Sequence, residues 1–579
     1  MKKYIFDIET NALWRPSKIW VLVIMDVDTE EMETFVGDQI EEGVKKLNGN
    51  IVIGHNIVKY DIPVLRQFYP WFEPAKIYDT LLLSCFVWND IRAIDVKLYA
   101  KGEIPAKFRG SYSLEAFGYR LGVLKGDYGK RENAWEALTP EMIEYCEQDV
   151  RVTKALWDKL QTKWHLIKEE PLELETKVAE IIARQEDYGF AFDKPRALLY
   201  AQQIKNRMLE LQTELQKRFP PKEVVYYTPK GKERVKVVPF NPNSRKMIGE
   251  RLQELGWKPK LFTPTGQPVV SEDVLENITD EFEEAKLIHE YLVLQKRLGQ
   301  LANGPSAWLK FVERDGRVHG SVLTMGTVSH RMSHFKPNMA QVPSNDVVWG
   351  KELRSLFVAS EGKVLVGVDA SSLELRLLAH YLAPFDKGEY ARRVVSEDMH
   401  QYHADLLGIT RKQAKRFIYA FMYGGGPALL GEIVGGSYEE GKKLINQFIN
   451  NIPGLKQLYA VLNPIKKIGA IKALDGRVLR LRKEHAILNL LIQSAGAIVM
   501  KRALVILDED LQNRGFVPHK DYEFVNNVHD EWQIECDPEI AEEIGKAACE
   551  AISKAGEYYN LNVKLEGEYK IDKDWSKTH

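Results

Sequence analysis

The chain has 579 residues, which is too many for one hydrophobic core, so we expect three or four lobes. Its contents of 45% apolar and 28% charged residues are typical of a soluble globular protein. The four cysteines form no C-x2-C pair, which argues against a structural zinc site and a disulfide framework and fits a reducing compartment.

The net charge of −2 would by itself argue against a nucleic-acid-binding protein. However, carboxylates can gather in metal sites while basic residues gather elsewhere, so the sum does not exclude that function. No apolar run follows a basic N-terminal segment, and no stretch of 18 apolar residues occurs. The sequence therefore predicts neither a signal peptide nor a membrane span, and we expect a cytoplasmic protein.

In the first 165 residues, short strand-like runs alternate with helical runs, which predicts an α/β domain. The strand-like runs are YIFDIET, WVLVIMDV and IVIGHN. Helical segments are predicted near residues 114–121 and 140–160.

Acidic residues occur in three of these elements. Asp7 and Glu9 are two apart on a strand and therefore point the same way. Asp61 follows in GHNIVKYD, and Tyr145 and Asp149 are four apart on a helix. Such a set can hold two divalent ions that clamp a phosphate, activate water and stabilise the leaving oxygen. A D-x-E pair alone is weak support for such a metal site, but the three acidic elements in this order support it strongly.

Long helices are predicted between about 171 and 218 and again from 280 to 303, and a basic stretch lies between them. Residues 217–260 contain twelve Lys/Arg and four Glu, a local net charge of +8, with Tyr226 and Tyr227 interleaved. The stretch includes Lys222, Lys230, Lys232, Arg234, Lys236, Arg245 and Lys246. Such a basic, partly irregular stretch suits contact with a phosphate backbone regardless of sequence, and a solvated surface loop is the alternative.

Two further aspartates are predicted at strand ends. KVLVGVDASSLELRLLAHYL predicts a buried strand, a turn at Asp369 and a helix. YEFVNNVHDEWQIEC predicts a hairpin whose turn comprises residues 529–531 and includes Asp530. A sheet could aim both carboxylates at two Mg²⁺ ions about 3.5–4 Å apart, the spacing of two-metal phosphoryl transfer. The alternative is that both are ordinary turn residues.

Residues 411–426, RKQAKRFIYAFMYGGG, lie between these two aspartates in the sequence. Arg411, Lys415, Tyr419 and Tyr423 recur every four residues, so the first three share one face of a helix. Two cations followed by an aromatic ring suit a triphosphate with a sugar and base behind it. An amphipathic helix with a solvated basic edge is the alternative, and the flanking aspartates argue against it.

The acidic motifs of the first 165 residues resemble those of the DnaQ-like proofreading exonucleases, which share an RNase H-like fold. The resemblance implies that Asp7, Glu9, Asp61 and Asp149 are metal ligands and that Tyr145 orients the attacking water. It also implies an active 3′–5′ exonuclease domain at residues 1–165.

The remainder resembles the family A DNA polymerases. DASSLELRLLAHYL, RKQAKRFIYAFMYGGG and VHDE are similar to motifs A, B and C of that family. GVDASSLELRLLAHYLAPFDKGEY is especially similar to the replicative polymerases of short-tailed phages, which implies a phage protein in the host cytoplasm. The implied polymerase domain, residues 171–579, is a right hand with a thumb at about 200–310, a palm at about 311–397 and 516–579, and fingers at about 398–515.

The resemblance also assigns roles to individual residues. Asp369 and Asp530 would be catalytic metal ligands, with the Ala370 carbonyl assisting. Glu374 would lie under the sugar and leave no room for a 2′-hydroxyl. Residues implied at the nucleotide are Arg411, Lys415 and His400 on the triphosphate, Tyr419 stacked on the nucleotide, and Tyr423 by the templating base. Residues implied along the primer–template minor groove are Arg331, Asn338, Gln341, His485, Asn489, Gln493 and His529.

Three features depart from the family pattern. His330 precedes Arg331 where the family often has glycine, which puts bulk into that loop. His485 stands where bacterial relatives carry arginine. Only 20 residues separate Phe219 from Phe240, where thioredoxin-recruiting relatives carry a much larger insertion. We therefore do not expect thioredoxin to act as a processivity factor.

Family members with tyrosine at the position of Tyr419 tend to accept dideoxynucleotides.

Together these features predict a template-directed DNA polymerase with a proofreading exonuclease, using two Mg²⁺ ions in each site, with Mn²⁺ able to substitute. The expected partners are primer–template DNA and dNTPs, with a replicative helicase–primase as a further candidate, and we expect a monomer without membrane contact. A single-subunit RNA polymerase is one alternative, against which Glu374 and the exonuclease motifs argue. An exonuclease with a C-terminal domain that only binds DNA is the other, against which Asp369, Asp530, Arg411 and Lys415 argue.

Overall fold

The computed structural model describes residues 1–227, 229 and 231–579, so Lys230 of the basic stretch lies outside the described residues. The N-terminal domain has a five-stranded sheet of β1 (Lys3–Thr10), β2 (Ile19–Asp26), β3 (Met32–Val36), β4 (Ile51–Gly54) and β5 (Lys76–Asp79). The strand order is β3-β2-β1-β4-β5, with β1, β4 and β5 parallel and β2 antiparallel to its two neighbours. Strand β1, which carries the first acidic pair, is therefore central.

The helices of this domain cover the sheet. They are α1 (Ile40–Leu47), α2 (Asp61–Phe68), α3 (Thr80–Val87), α4 (Ile91–Ala100), α5 (Leu114–Leu121) and α6 (Pro140–Gln161). The Thr139 hydroxyl caps α6 by accepting from the Met142 N–H, and proline occupies its first turn. The buried side of α6 packs against β1 and β2, so its polar residues near the N-terminus face the acidic end of β1. The predicted α/β domain and both predicted helices are confirmed.

A mostly helical segment follows. Its elements are α7 (Glu169–Tyr188), β6 (Phe190–Ala191), α8 (Lys194–Arg218), β7 (Lys222–Tyr227), β8 (Glu233–Val238), α9 (Arg245–Glu254), α10 (Glu272–Glu276) and α11 (Glu283–Leu298). Helices α8 and α11 pack along each other through a shared apolar cluster. Part of the basic stretch forms the antiparallel hairpin β7–β8, and irregular segments precede and follow it, which agrees with a partly irregular stretch. Valine and tyrosine fill four successive positions of β7, and valine fills three of the six positions of β8; both residue types favour paired strands even where both faces are exposed.

Short elements connect this segment to the second sheet. They are β9 (Arg317–Val318), β10 (Ser321–Leu323), β11 (Ser333–Phe335), α12 (Gly350–Arg354) and β12 (Val364–Ala370). Strand β9 pairs with β6, and β10 pairs with β11. The VLVGV run of β12 is fully buried, as predicted.

A helical lobe follows β12. It comprises α13 (Leu373–Asp386), α14 (Glu389–Ser396), α15 (Met399–Leu407), α16 (Arg411–Met422), α17 (Pro427–Ile433), α18 (Tyr438–Asn451), α19 (Leu455–Ile468), the hairpin β13 (Ala470–Lys472) and β14 (Val478–Arg480), and α20 (Ile487–Asn513). By length and composition, the segment Glu484–Asn513 could cross a membrane, but 83% of its apolar window is buried inside the protein. Helix α20 packs against α7, α13 and α21 and is therefore a core helix, which explains why it is apolar on nearly every side.

The C-terminal elements complete the second sheet. They are β15 (Tyr522–Val528), β16 (Glu531–Cys536), α21 (Ala541–Tyr558) and β17 (Gly567–Asp572). The strand order is β15-β16-β12-β17, and all neighbours are antiparallel. This order places the end of β12, which carries Asp369, beside the turn between β15 and β16, which carries Asp530.

Candidate active sites

The first site lies at the end of β1. Asp7 and Glu9 point to the same side, and with Cys146 of α6 they place one possible ligand atom each within 4.8 Å of one another. Asp61 begins α2, and its Oδ1 accepts a hydrogen bond from the Ile8 N–H at 3.2 Å. Asp149 lies one turn after Tyr145 on α6, as predicted. The structure thus brings the four predicted carboxylates into one site.

These carboxylates repel one another inside the protein. Burial, with repulsion from Glu9, Asp61 and Asp149, raises the pKa of Asp7 well above its usual value. Burial also raises the pKa of Glu9 to about 8, of Asp61 to about 7 and of Asp149 to about 6. A cluster of buried oxygen donors that retains protons near neutral pH is suited to divalent cations, because a hard cation can replace those protons.

Two residues at this site were missed in the sequence analysis. Lys125 forms an ion pair with Asp149, and its Nζ lies 4.7 Å from the centre of the Tyr145 ring. The Cys146 Sγ lies 3.4 Å from Asp7 Oδ2. Lys125 lies in the loop after α5 and follows no periodic pattern, so only its three-dimensional position identifies it. Cys146 adjoins Tyr145 in sequence, which could have drawn attention to it.

A cleft of about 1360 Å³ opens onto this site and runs between the N-terminal domain and the rest of the chain. Asp7, Asp149 and Lys125 line one side, while Phe335 and Lys336 of the β11 region line another. The acidic site is therefore accessible from this cleft.

The second site lies at the end of β12. Asp369 pairs in register with Glu531 of β16, and the Ala370 N–H donates to the Asp530 carbonyl at 2.9 Å. The turn between β15 and β16 therefore comprises residues 529 and 530 only. The predicted inclusion of Glu531 in the turn is wrong, because Glu531 continues the ladder opposite Asp369.

Burial also sets the electrostatics here. It raises the pKa of Asp369 to about 6, with repulsion from Glu531 as the next contribution. It raises the pKa of Asp530 well above its usual value, with further repulsion from Glu374 and Asp369. The ionised forms of both aspartates therefore need nearby positive charge, which fits the oxygen donor set of a Mg²⁺ site.

Glu531 and His579 belong to this site but were given no role in the sequence analysis. Asp369, Glu531 and His579 can each place a ligand atom within 4.8 Å of the others. His579 Nδ1 lies 2.9 Å from Glu531 Oε2, and the Trp575 indole N–H donates to Glu531. Glu531 is part of the VHDE run, whereas the position of His579 depends on how the last residues fold back over the sheet.

Helix α16 presents its cationic face beside this sheet. Its start is fixed by a capping box between Thr410 and Gln413. Arg411 and Lys415 are exposed and both lower the pKa of His400, after burial of that imidazole. The Tyr419 ring lies 5.8 Å from the ring of His400. Arg411, Lys415 and Tyr419 thus share one face of the helix, as the spacing predicts, and His400 lies against the same face.

Tyr423 and Glu374 connect α16 to the sheet. Tyr423 follows the end of α16, and its ring stacks on that of Tyr419 at 6.4 Å. Its hydroxyl donates to Glu374 Oε1 at 3.0 Å, and Arg331 Nη2 donates to the same oxygen at 3.0 Å. Glu374 is only 5% exposed, so its carboxylate is held in one position between the two donors.

The residues predicted along the minor groove differ in exposure. Gln341, His485 and His529 are exposed, whereas Arg331, Asn338, Asn489 and Gln493 are half-buried. The Asn489 amide donates to the Met422 carbonyl at 2.8 Å, which ties α20 to the end of α16. Arg331 and His529 share a small cavity beside the second site. Their placement is compatible with DNA contact, which stays a prediction.

Comparison with known proteins finds similarity to DNA polymerases. The family model for DNA polymerase family A matches residues 205–577. The chain is 34% identical to the DNA-directed DNA polymerases of Enterobacteria phage T3 and Escherichia phage T7, over 99% of this chain and of each relative. It is 27% identical to DNA polymerase I of Aquifex aeolicus, over 95% of this chain and 92% of that protein.

A solved structure is also similar. The structure of the POL domain of Pol1 from M. smegmatis, in complex with a DNA primer-template and dNTP, superposes with a TM-score of 0.73. The match covers 99% of this chain and 96% of that one at 19% identity, so it supports the fold alone.

Proposed function

Because the chain belongs to DNA polymerase family A and is a DNA-directed DNA polymerase, we propose that Asp369 and Asp530 form its synthetic site and that residues 1–165 form a proofreading 3′–5′ exonuclease. The observation that carries this proposal is the position of α16, whose Tyr419 lies beside Asp369 at the end of β12 and Asp530 in the turn before β16. Family A polymerases depend on metal ions, generally Mg²⁺, and we propose two ions in each site.

In the synthetic site, Asp369, Asp530 and the Ala370 carbonyl would hold the ions. When bound, they supply activation of the primer 3′-hydroxyl and neutralisation of the leaving pyrophosphate. Arg411 and Lys415 bind the triphosphate through charge-assisted hydrogen bonds, and His400 adds a third contact. These residues orient the triphosphate, and such positioning contributes much of the rate enhancement in phosphoryl transfer.

The residues behind the triphosphate select the base and the sugar. Tyr419 stacks on the incoming nucleotide, and Tyr423 lies by the templating base. Glu374, held by Arg331 and Tyr423, lies under the sugar and excludes a 2′-hydroxyl. The minor-groove residues named above test the shape of the nascent pair through donors that reach acceptors common to all correct pairs.

In the exonuclease site, Asp7, Glu9, Asp61 and Asp149 would hold the ions, and Tyr145 orients the attacking water. The cleft that opens onto these residues gives a single-stranded primer end access to them. Lys125 compensates the negative charge of Asp149 and lies against the Tyr145 ring, so we assign it to the positioning of both.

The proposed lobes follow from this assignment. The thumb comprises residues about 200–310, the fingers about 398–515, and the palm about 311–397 together with 516–579. The hairpin β7–β8 carries Lys222, Arg234 and Lys236 on one face. This face supports contact of the thumb with the duplex product, because attraction between cations and the phosphate backbone does not depend on base sequence.

A labelled primer–template incubated with Mg²⁺, with and without dNTPs, tests both activities. We expect extension with dNTPs and shortening without them. The Asp7→Ala/Glu9→Ala variant should retain extension and lose shortening, and Asp530→Ala should do the reverse. Loss of both activities in either well-folded variant would contradict two separate sites, and equal use of rNTPs and dNTPs would favour an RNA polymerase.

A further inference from the structure

A buried ionic network lies where the exonuclease domain meets the polymerase elements. Its members are Glu175, His330, Asp475, Arg477 and Lys501. The two cations, Arg477 and Lys501, are at most 2% exposed. The side chain of Asp475 is likewise buried. Arg477 lies 2.6 Å from Glu175 Oε1 and 2.6 Å from Asp475 Oδ2, and Lys501 Nζ lies 2.8 Å from both oxygens of Glu175. Two cations thus balance two carboxylates, so the fifth member fits only as a neutral group.

His330 is that neutral member. Its Nε2 lies 3.1 Å from the Cys85 carbonyl, which can only accept, so the Nε2–H is the donor. Its Nδ1 lies 3.0 Å from Arg477 Nη1 and is therefore the acceptor. Burial, with repulsion from Arg477 and Lys501, lowers the pKa of His330 well below its usual value. One imidazole thus joins the exonuclease domain to the network through two hydrogen bonds.

The bond to Cys85 satisfies a helix end. Cys85 lies in the last turn of α3, where carbonyls have no partner within the helix. A second contact from the same domain supports the same loop, because the Asn89 amide donates to the Val328 carbonyl at 2.8 Å. The exonuclease domain therefore holds two of the three residues that precede Arg331.

The backbone of His330 is held in a conformation that histidine rarely adopts. Its φ is +59°, in the left-handed region, where a residue with a Cβ is disfavoured. The Lys501 ammonium donates to the His330 carbonyl at 2.8 Å and fixes the peptide that leads into Arg331. Arg331 in turn donates to Glu374, the carboxylate placed under the sugar.

We propose that His330 is a positioning residue through which the exonuclease domain holds the Arg331–Glu374 pair and thereby sets the selectivity for deoxyribonucleotides. The inference rests on the proposed function in one respect, namely the role of Glu374 against the 2′-hydroxyl. His330 is fully buried and acts through the backbone that it shares with Arg331. A purely structural role would instead change stability without changing which sugar is accepted.

His330→Gly tests the proposal, because glycine retains access to the positive φ while both side-chain hydrogen bonds are lost. The kcat/KM for dCTP and for CTP is measured in the Asp7→Ala/Glu9→Ala background, so that excision does not remove the product. We expect the preference for dCTP to fall about tenfold, the size expected when buried groups lose their hydrogen-bond partners. His330→Gln should restore most of it, because its amide can donate to Cys85 and accept from Arg477.

Two further variants separate positioning from stability. Asn89→Ala removes the other exonuclease contact with the loop and should also lower the preference for dCTP, by a smaller factor. Val44→Ala truncates a buried side chain of α1, away from the loop, and should lower the melting temperature without changing the preference.

Glu374→Ala distinguishes the inference from the function on which it rests. If Glu374→Ala loses the preference and His330→Gly keeps it, the coupling is overturned while the role of Glu374 stands. If both variants keep the preference, the role of Glu374 and the coupling are overturned together.

Discussion

Tyr419 presents an aromatic ring between His400 and Tyr423 on the face of α16 that we propose binds the nucleotide. Burial raises the pKa of its hydroxyl, so the group is a neutral donor at physiological pH. Tyr419→Phe removes that hydroxyl and leaves the ring. Since relatives with tyrosine here tend to accept dideoxynucleotides, we expect the wild type to discriminate weakly and the variant to discriminate more than about tenfold better.

The measurement is the ratio of kcat/KM for dTTP and ddTTP in single-nucleotide incorporation. Equally efficient chain termination by the wild type and Tyr419→Phe would contradict the placement of Tyr419 at the incoming nucleotide.

Glu9 makes the stability of the metal-free protein depend on pH. Burial raises its folded pKa to about 8 from an ordinary value near 4.5. Between these values the folded chain keeps a proton that the unfolded chain has lost, so stability falls as pH rises from about 5 to about 8. We expect the melting temperature in EDTA to fall across this range, and to fall less in Glu9→Gln, which carries no titrating group.

Mg²⁺ should reverse this trend. Because the ion requires ionised carboxylates, it should raise the melting temperature more at pH 8 than at pH 6, with a smaller gain in Glu9→Gln. Parallel pH profiles for the wild type and Glu9→Gln in EDTA would contradict a buried, proton-retaining Glu9.

At the scale of elements, the hairpin β7–β8 has two faces of opposite charge. The strand register places Lys222, Arg234 and Lys236 on one face together with Tyr226. Glu223 and Glu233 lie on the other face. The side chain of Tyr226 is 43% exposed, so an aromatic ring accompanies the cations. The face with three cations suits a phosphate backbone, whereas the opposite face would repel it.

We expect alanine at Lys222, Arg234 and Lys236 together to weaken binding to primer–template DNA and to reduce the slope of log Kd against log salt concentration by about 2–3. Alanine at Glu223 and Glu233 is the matched control on the opposite face and should leave the slope unchanged or increase it. An unchanged slope in the triple variant would mean that the hairpin lies away from the DNA.

Helix α16 offers a similarly matched pair of lysines. Lys415 faces His400, whereas Lys412 pairs with Glu276 at 2.8 Å on another side of the helix. We expect Lys415→Ala to raise the KM for dNTP and lower kcat by at least about tenfold, because a charge-assisted phosphate contact is lost. Lys412→Ala should change neither, and unchanged kinetics in Lys415→Ala would contradict the assignment of this face to the triphosphate.

At the scale of the whole molecule, sequence periodicity predicts which side chains of one helix or strand share a face. The i, i+2 spacing of Asp7 and Glu9 and the i, i+4 spacing of Arg411 and Lys415 determine a shared face before the fold is known. Lys125 and His579 could not be found in this way, because a loop and the chain end reach their sites only through tertiary packing. The role of His330 likewise depends on a carbonyl 245 residues away in sequence.

The length of the chain bears on its accessory factors. The alignment with the phage T7 polymerase extends over 708 positions, 129 more than the 579 residues of this chain. The short segment between Phe219 and Phe240 is closed at its base by these two rings, whose centres lie 4.6 Å apart, and its described residues include the hairpin β7–β8. Relatives that recruit thioredoxin carry a much larger insertion here, so we infer that this chain lacks the segment that thioredoxin would bind.

We therefore expect thioredoxin to leave product length unchanged when each polymerase molecule binds a primer once. The measurement is the length distribution of products on a long primed template in the presence of an excess DNA trap, with reduced thioredoxin, with oxidised thioredoxin and with neither. A longer distribution with reduced thioredoxin would show that this short segment supports recruitment. If the hairpin itself provides the contact with DNA, the triple alanine variant should shorten the products under all three conditions to the same extent.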